Sequence, residues 1–357
     1  MNVNHKPDGI QFYNVEELEQ IPGVPGLTLQ RYPADVRERL GIDVYDMGRR
    51  SATMAAGCEL RFVTESRQVR LYVSSPLTDG ELVVYHGDYF HSMHTVKAGG
   101  VVGLSLQKHD MFLQVTEQSL RVGRFSPDVW RVVVSRASGG GTSIQLTFHH
   151  LDTFGYPVRE PLPEEVPSVR WLAYGSSITQ GGSAIHQHGT YVQQAARRLG
   201  VDVYNKGLSG SCYIEPQVAD YLASLTNWDI ATLELGVNMR GRFTTEQFRE
   251  RAEYLVSTLL EKHPDKPIVL LTIFPNVATR FINEPNPVTL ANEAFCEQLR
   301  DLQRTLGAPN LHLIEGSDIL TDFSGLTADL VHPSDYGHML MGQQLAERLR
   351  VILQEIN

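Results

Sequence analysis

Cysteine is scarce and scattered. Cys58, Cys212 and Cys296 are the whole complement in 357 residues. An odd number at wide spacing, with no Cys-x-x-Cys, suggests neither a disulfide framework nor a zinc knuckle. A reduced, cytoplasmic setting is the expectation. Long apolar runs are missing as well: none approaches the ~18–20 residues needed to span a bilayer. The opening stretch MNVNHKPDGIQFYNVEELEQ lacks the apolar core of an export signal. Positive charge is in deficit, with 31 Lys plus Arg against 41 Asp plus Glu and a formal net charge of −10. That balance gives no cationic footprint for nucleic acid or an anionic membrane. Neither an internal repeat nor a low-complexity tract is found. What remains, at 20% charged and 42% hydrophobic residues, is an ordinary globular composition. Its length is roughly twice that of a usual domain, so two domains or one large one are expected.

The two halves carry different periods. From about 58 to 150 the pattern alternates: Val69, Leu71 and Val73 with Gln68, Arg70 and Tyr72, then Ile144, Leu146 and Phe148 with Gln145, Thr147 and His149. Short alternating strands between turn residues predict a sandwich or jelly roll. The run Gly139-Gly140-Gly141 has no Gly-Lys-Ser/Thr continuation and reads as a hairpin loop, not a phosphate cradle. Pro157, Pro161, Pro163 and Pro167 then crowd a stretch that can form neither a helix nor a central strand. The expected division is a β-sandwich domain over 1–153, a proline-rich linker over 154–167 and a second domain over 168–357.

In that second domain, apolar runs alternate with helical stretches. VRWLAYG (169–175), VDVYNKG (201–207), WDIATLELG (228–236), PIVLLTIFP (267–275) and LHLIEG (311–316) are separated by amphipathic segments, with a last helix near 335–353. Five such runs predict a parallel sheet covered by helices on both faces. Ligands of open α/β sheets sit beyond the carboxyl ends of the strands. Those ends carry Ser176-Ser177, Ser209-Gly210 and Asn238, and the segment beyond the fifth strand carries Asp329 and His332. A hydroxyl, small residues, a carboxamide, a carboxylate and an imidazole on one edge are the inventory of acyl transfer.

GSSIT (175–179), NKGLSG (205–210), ELGVN (234–238) and DLVHP (329–333) resemble, in order, blocks I, II, III and V of the SGNH (GDSL-type) hydrolases. They cover most of residues 168–357. Upstream, Gly41-Ile42-Asp43-Val44-Tyr45 is similar to the GxDLY motif of the β-domain preceding some of these enzymes. The resemblance implies a flavodoxin-like, three-layer α/β/α domain of five parallel strands after an all-β, jelly-roll-like sandwich. It makes Ser177 the nucleophile, His332 its base and Asp329 the partner that holds the imidazole. For the oxyanion it supplies the backbone N–H groups of Ser177 and Gly210 and the side-chain amide of Asn238. Neither a cofactor nor a metal is called for. One departure stands out: the family's usual Asp before the nucleophile is here Ser176.

Plainer readings compete at several positions. His338, in a helix, reads as a packing residue. His186 and His188 have metal-compatible spacing but no evident third ligand, so they read as loop residues beside the pocket. His263 precedes the fourth strand, on the wrong edge. Cys212 has no basic neighbour in sequence and reads as a small buried residue. His86, His91 and His94 read as a solvated strand face. The expected activity is that of a cofactor-independent serine esterase acting through an acyl-enzyme. Members with a β-sandwich ahead of the hydrolase domain resemble carbohydrate esterases that remove acetyl groups. A small-molecule or oligosaccharide ester is therefore the expected substrate, and a homo-oligomer is compatible with the sequence. An acyltransferase shares the same chemistry and stays open. A non-catalytic glycan-binding protein is opposed by the intact Ser177, Asp329 and His332, and a bulk-lipid lipase by the lack of an apolar lid segment.

Overall fold

Period-two alternation in the first half and unbroken apolar runs in the second give two kinds of sheet. The computed structural model describes residues 6–41, 47–135, 144–282 and 286–354. Most of the GxDLY-like motif, Ile42 to Tyr45, and the Gly139-Gly140-Gly141 run lie outside the described residues. The chain forms two compact units. One comprises 1–34, 52–168 and 185–188; the other comprises 35–51, 169–184 and 189–357.

The first unit holds two antiparallel sheets. One runs Gln11–Tyr13, Glu59–Thr64, Val129–Ser135, Gly80–His86, Tyr89–Val96, and the other runs Glu17–Glu19, Leu27–Gln30, Thr147–Asp152, Gln68–Ser74, Val101–Gln107. Their inward residues form one core, with Leu60, Phe62, Trp130 and Val132 from the first sheet and Leu29, Leu71, Val73 and Phe148 from the second. Val69, Leu71 and Val73 point inward as the alternation requires. Ile144 and Leu146 are buried too, but the strand begins only at Thr147.

The proline-rich stretch 154–167 belongs to this unit. Val158–Arg159 pairs with Val63 and Thr64 at the end of an existing strand, and Arg159 forms an ion pair with Glu165 at 2.7 Å. Pro157 and Pro161 flank that two-residue strand, which suits prolines confined to strand margins. The expected boundaries are thus crossed in both directions. Residues 35–51 join the second unit because Gln217 Nε2 donates to Arg39 O at 3.0 Å and Ser51 Oγ to Gln180 Oε1 at 3.2 Å. Residues 185–188 join the first, where Gln187 N–H donates to Ser135 Oγ at 2.9 Å.

The second unit is built on five parallel strands: Arg170–Tyr174, Asp202–Asn205, Ile230–Glu234, Ile268–Leu271 and Leu311–Ile314. Their spatial order, second-first-third-fourth-fifth, is that of a doubly wound fold. Helices Tyr191–Leu199 and Asp335–Gln354 share a core with Trp171, Ala173, Val203 and Val269 on one face. Helices Pro216–Ser224, Thr245–Lys262 and Pro287–Leu306 pack against one another, with Phe248 stacked on Phe295 at 4.3 Å. Burial on both faces explains the unbroken apolar runs. Among the described residues no helix is long and apolar enough to cross a membrane.

Candidate active site

Ser177 opens a short helix, Ser177–Gln180, directly after the first strand, with Ser176 as its N-cap accepting from Ile178 N–H. Its Oγ lies 2.8 Å from His332 Nε2. On the other side of the ring, Nδ1 lies 2.7 Å from Asp329 Oδ2. A carboxylate can only accept, so Nδ1 carries the proton and Nε2 offers its lone pair to the serine hydroxyl.

Asp329 stands three positions before His332, with two residues between them, and the loop must double back for them to meet. Thr327 N–H donates to His332 O at 2.8 Å, Leu330 N–H to Thr327 O at 2.9 Å, and Leu330 takes a left-handed φ of 56°. The second carboxylate oxygen, Asp329 Oδ1, accepts from Val331 N–H, His332 N–H and Thr327 Oγ1 at 2.8, 2.9 and 2.9 Å. Partial burial pushes the Asp329 carboxyl upward, but the donors of His332, Val331 and Thr327 outweigh it and hold the group well below the usual carboxylate range. Asp329 is thus an anion fixed at both oxygens.

The residues expected to meet an oxyanion are tied to the same edge. Gln180 Oε1 accepts from Ser209 N–H at 2.9 Å, linking the serine helix to the loop that carries Gly210. Gly210 has a φ of 69°, a conformation a side chain would strain. Asn238 Oδ1 accepts from Cys212 N–H at 3.1 Å, so the side-chain amide N–H groups face away from that loop contact and remain donors. Ser177, Gly210, Asn238, Asp329 and His332 all belong to the second unit.

The other candidates find their places in the folded chain, some as expected and some not. His338 is fully buried; its Nδ1 accepts from Tyr191 N–H at 3.1 Å and its Nε2 donates to Gly182 O at 2.9 Å. Gly182 in turn lies so close to the His332 ring that a Cβ there would come within 2.9 Å of Cδ2. His338 therefore braces the residue that the His332 ring lies against. His186 and His188 stack at 5.4 Å in the first unit, with His186 Nδ1 3.1 Å from Glu81 Oε2 and His188 against Tyr85 and Phe90. Among the described residues no group of three or more His, Cys, Asp or Glu could hold a metal ion. His86 is not on a solvated face: it is 1% exposed and lies 3.7 Å from the Trp130 ring. Cys212 is buried, and burial together with the nearby Glu234 charge pushes its thiol well up. In the segment after the nucleophile, Gln180 and Gln187 are buried at 1% and 0% exposure.

Gln180, Gly182, Thr327 and Glu234 were not singled out from sequence. Glu234 alone left a signal, as a carboxylate ending a wholly buried strand.

Comparison with solved structures places the fold. A salicylyl-acyltransferase from a tetracycline biosynthetic pathway superposes with a TM-score of 0.77 at 16% identity, over 99% of this chain and 97% of that one. A Bacteroides ovatus protein described as a GDSL-like lipase gives 0.67 at 21%, over 91% and 92%. A family two carbohydrate esterase from Cellvibrio japonicus gives 0.62 at 15%, over 98% and 97%. Identities this low speak to fold alone. Sequence comparison with curated proteins finds no match. Residues 170–350, about half of the chain and all five parallel strands, match the model of the GDSL-like lipase/acylhydrolase family, and the chain belongs to that family.

Proposed function

We propose that this protein is a serine esterase that removes short acyl groups, acetyl above all, from a carbohydrate-like alcohol through an acyl-enzyme. The observation that carries the reading is the relay Asp329–His332–Ser177, with contacts of 2.7 and 2.8 Å. Ser177 Oγ attacks the ester carbonyl while His332 Nε2 takes its proton, and the Asp329 carboxylate stabilises the imidazolium. Backbone N–H groups of Ser177 and Gly210 and the amide of Asn238 stabilise the oxyanion as it forms. His332 then returns the proton to the departing alcohol. Water, deprotonated by the same ring, releases the acid.

The sugar-ester part of the reading is supported by the fold shared with carbohydrate esterases. Hydrolysis of a p-nitrophenyl ester series from acetyl to decanoyl, repeated with acetylated sugars, tests it. kcat/KM should peak at short chains and fall beyond about four carbons, since a long apolar tunnel would favour each added methylene by about 0.8 kcal/mol. A monotonic rise to decanoyl would sink it. Likeness over 99% of the chain to a salicylyl-acyltransferase favours a second reading, transfer to an alcohol other than water. Product forming only when an acceptor alcohol is supplied would select that second reading.

A further inference from the structure

The position before the nucleophile holds a serine where the family resemblance calls for an aspartate, yet a carboxylate is present at that turn. It comes from the third strand. Glu234 Oε2 accepts from Ser176 N–H at 2.7 Å, from Ser176 Oγ at 2.7 Å and from Thr179 Oγ1 at 3.0 Å. Thr179 Oγ1 receives in turn from the Tyr191 hydroxyl at 2.8 Å. Ser176, Thr179, Tyr191 and Glu234 are each at most 1% exposed. Three donors converging on one fully buried oxygen make a pattern suited to an anion, because a protonated oxygen there would have to turn one donor away. The other oxygen, Oε1, has no hydrogen-bond partner among the described residues.

We propose that Glu234 is a positioning residue for Ser177, its carboxylate clamping the nucleophile turn through Ser176 and Thr179. The inference rests on Ser177 being the nucleophile. Two of the three bonds hold the residue immediately before it, one by backbone and one by side chain. They fix the direction of the Ser177 backbone N–H and of its Oγ. Thr179 holds the next part of the turn, so the short serine helix is gripped from below along its length. Ionisation matters to this grip. Burial pushes the Glu234 carboxyl up to about 7, against the pull of the Ser176 and Thr179 donors. The ionisable groups that couple to its charge are Tyr191 on the neighbouring helix, Cys212 in the Gly210 loop and Arg240 beyond the strand. As pH falls through the Glu234 range, the carboxylate becomes a neutral acid. The clamp weakens, and kcat falls with it.

Glu234→Gln tests this, because the amide keeps the shape and one accepting oxygen but not the charge. At pH 8, kcat should fall about 10–100-fold with KM within about threefold, as expected for a misaligned nucleophile. The acid limb of kcat should lose the step that Glu234 contributes, so that it is shallower in E234Q than in the wild type. A folded E234Q with wild-type kcat and an unchanged pH profile would overturn the assignment. Ser176→Ala keeps the carboxylate and removes one of its donors, so it should lower kcat about tenfold at unchanged KM. An unfolded E234Q together with an unimpaired S176A would also overturn it, leaving Glu234 only a stabilising residue. Labelling by a fluorophosphonate separates this inference from its foundation. Wild type unlabelled at Ser177 defeats the nucleophile reading, whereas equal labelling rates in wild type and E234Q from about pH 5 to 9 defeat the role of Glu234 alone.

Discussion

At the scale of single residues, the candidate site concentrates its chemistry in a few polar atoms whose partners are already fixed. Ser177→Ala should abolish ester turnover and leave the far-UV spectrum and melting temperature unchanged, since among the described residues the lost hydroxyl hydrogen-bonds only to the His332 ring. An organophosphonate should label wild type stoichiometrically at Ser177; adducts at Ser176 or Ser209 instead would refute the assignment. Asp329→Asn replaces an oxygen that accepts from Nδ1 with a group that can present a donor to it, so the ring is held in the wrong tautomer. A drop of about 10²–10⁴ in kcat is expected, with folding intact by calorimetry. Asn238→Ala should cost about 10²–10³ in kcat with little change in KM. An effect on KM alone would make Asn238 a ground-state contact. The resemblance to the family's blocks named Ser177, Gly210, Asn238, Asp329 and His332 in the sequence, because chemistry restricts residue type where those blocks meet the strand ends. It could not name their supports. Gln180, Thr327 and Cys212 N–H act through atoms that any of many residue types could supply.

At the scale of elements, the loop 326–333 shows how local geometry makes the site. Thr327, Leu330 and His332 close it with backbone bonds, and Leu330 sits at a φ of 56° while 38% exposed. A branched Cβ is costlier there than glycine. Leu330→Gly should therefore keep the melting temperature within about 2 °C and kcat within about threefold, whereas Leu330→Val should lower both, by about 1–2 kcal/mol in stability. The reverse order, read by thermal denaturation and steady-state kinetics, would mean that the Leu330 side chain and not its backbone matters. Strand order explains why Glu234 was missed. The first strand lies between the second and the third, with Tyr174 opposite Leu233. That adjacency brings Ser176 to Glu234 across 58 residues of chain. Periodicity reveals that a run is a strand, but not which strand it lies beside.

At the scale of the whole molecule, buried carboxyls set how stability responds to pH. Burial pushes both Glu215 and Glu234 up to about 7 from an ordinary 4.5. In that interval the folded chain binds more protons than the unfolded one. Their contribution to stability is therefore full below about pH 4.5 and is lost as pH rises to about 7. Glu59 behaves oppositely. Burial pushes it up, yet Arg131 and Arg61 beside it overcome that and hold it far below the usual range, so its contribution is lost as pH falls below about 4.5. Glu215→Gln should raise unfolding free energy at pH 8 by about 1–3 kcal/mol and change it little at pH 4.5. Urea denaturation at the two pH values checks this, and equal effects at both would refute it.

The sequence by itself determined the two kinds of sheet, the alternation of strand and helix after residue 168, and the residues on the candidate edge. Each of these follows from one period or one strand end, which is local information. Only the tertiary structure decided that residues 35–51 join the parallel-sheet unit and that residues 185–188 join the antiparallel one. It also decided that His86 is buried and that the Gln180 and Gln187 side chains are buried. Above all it decided that the carboxylate beneath the nucleophile turn comes from Glu234. These outcomes depend on which distant segments become neighbours, and burial then fixes both the partner and the protonation of every polar group enclosed.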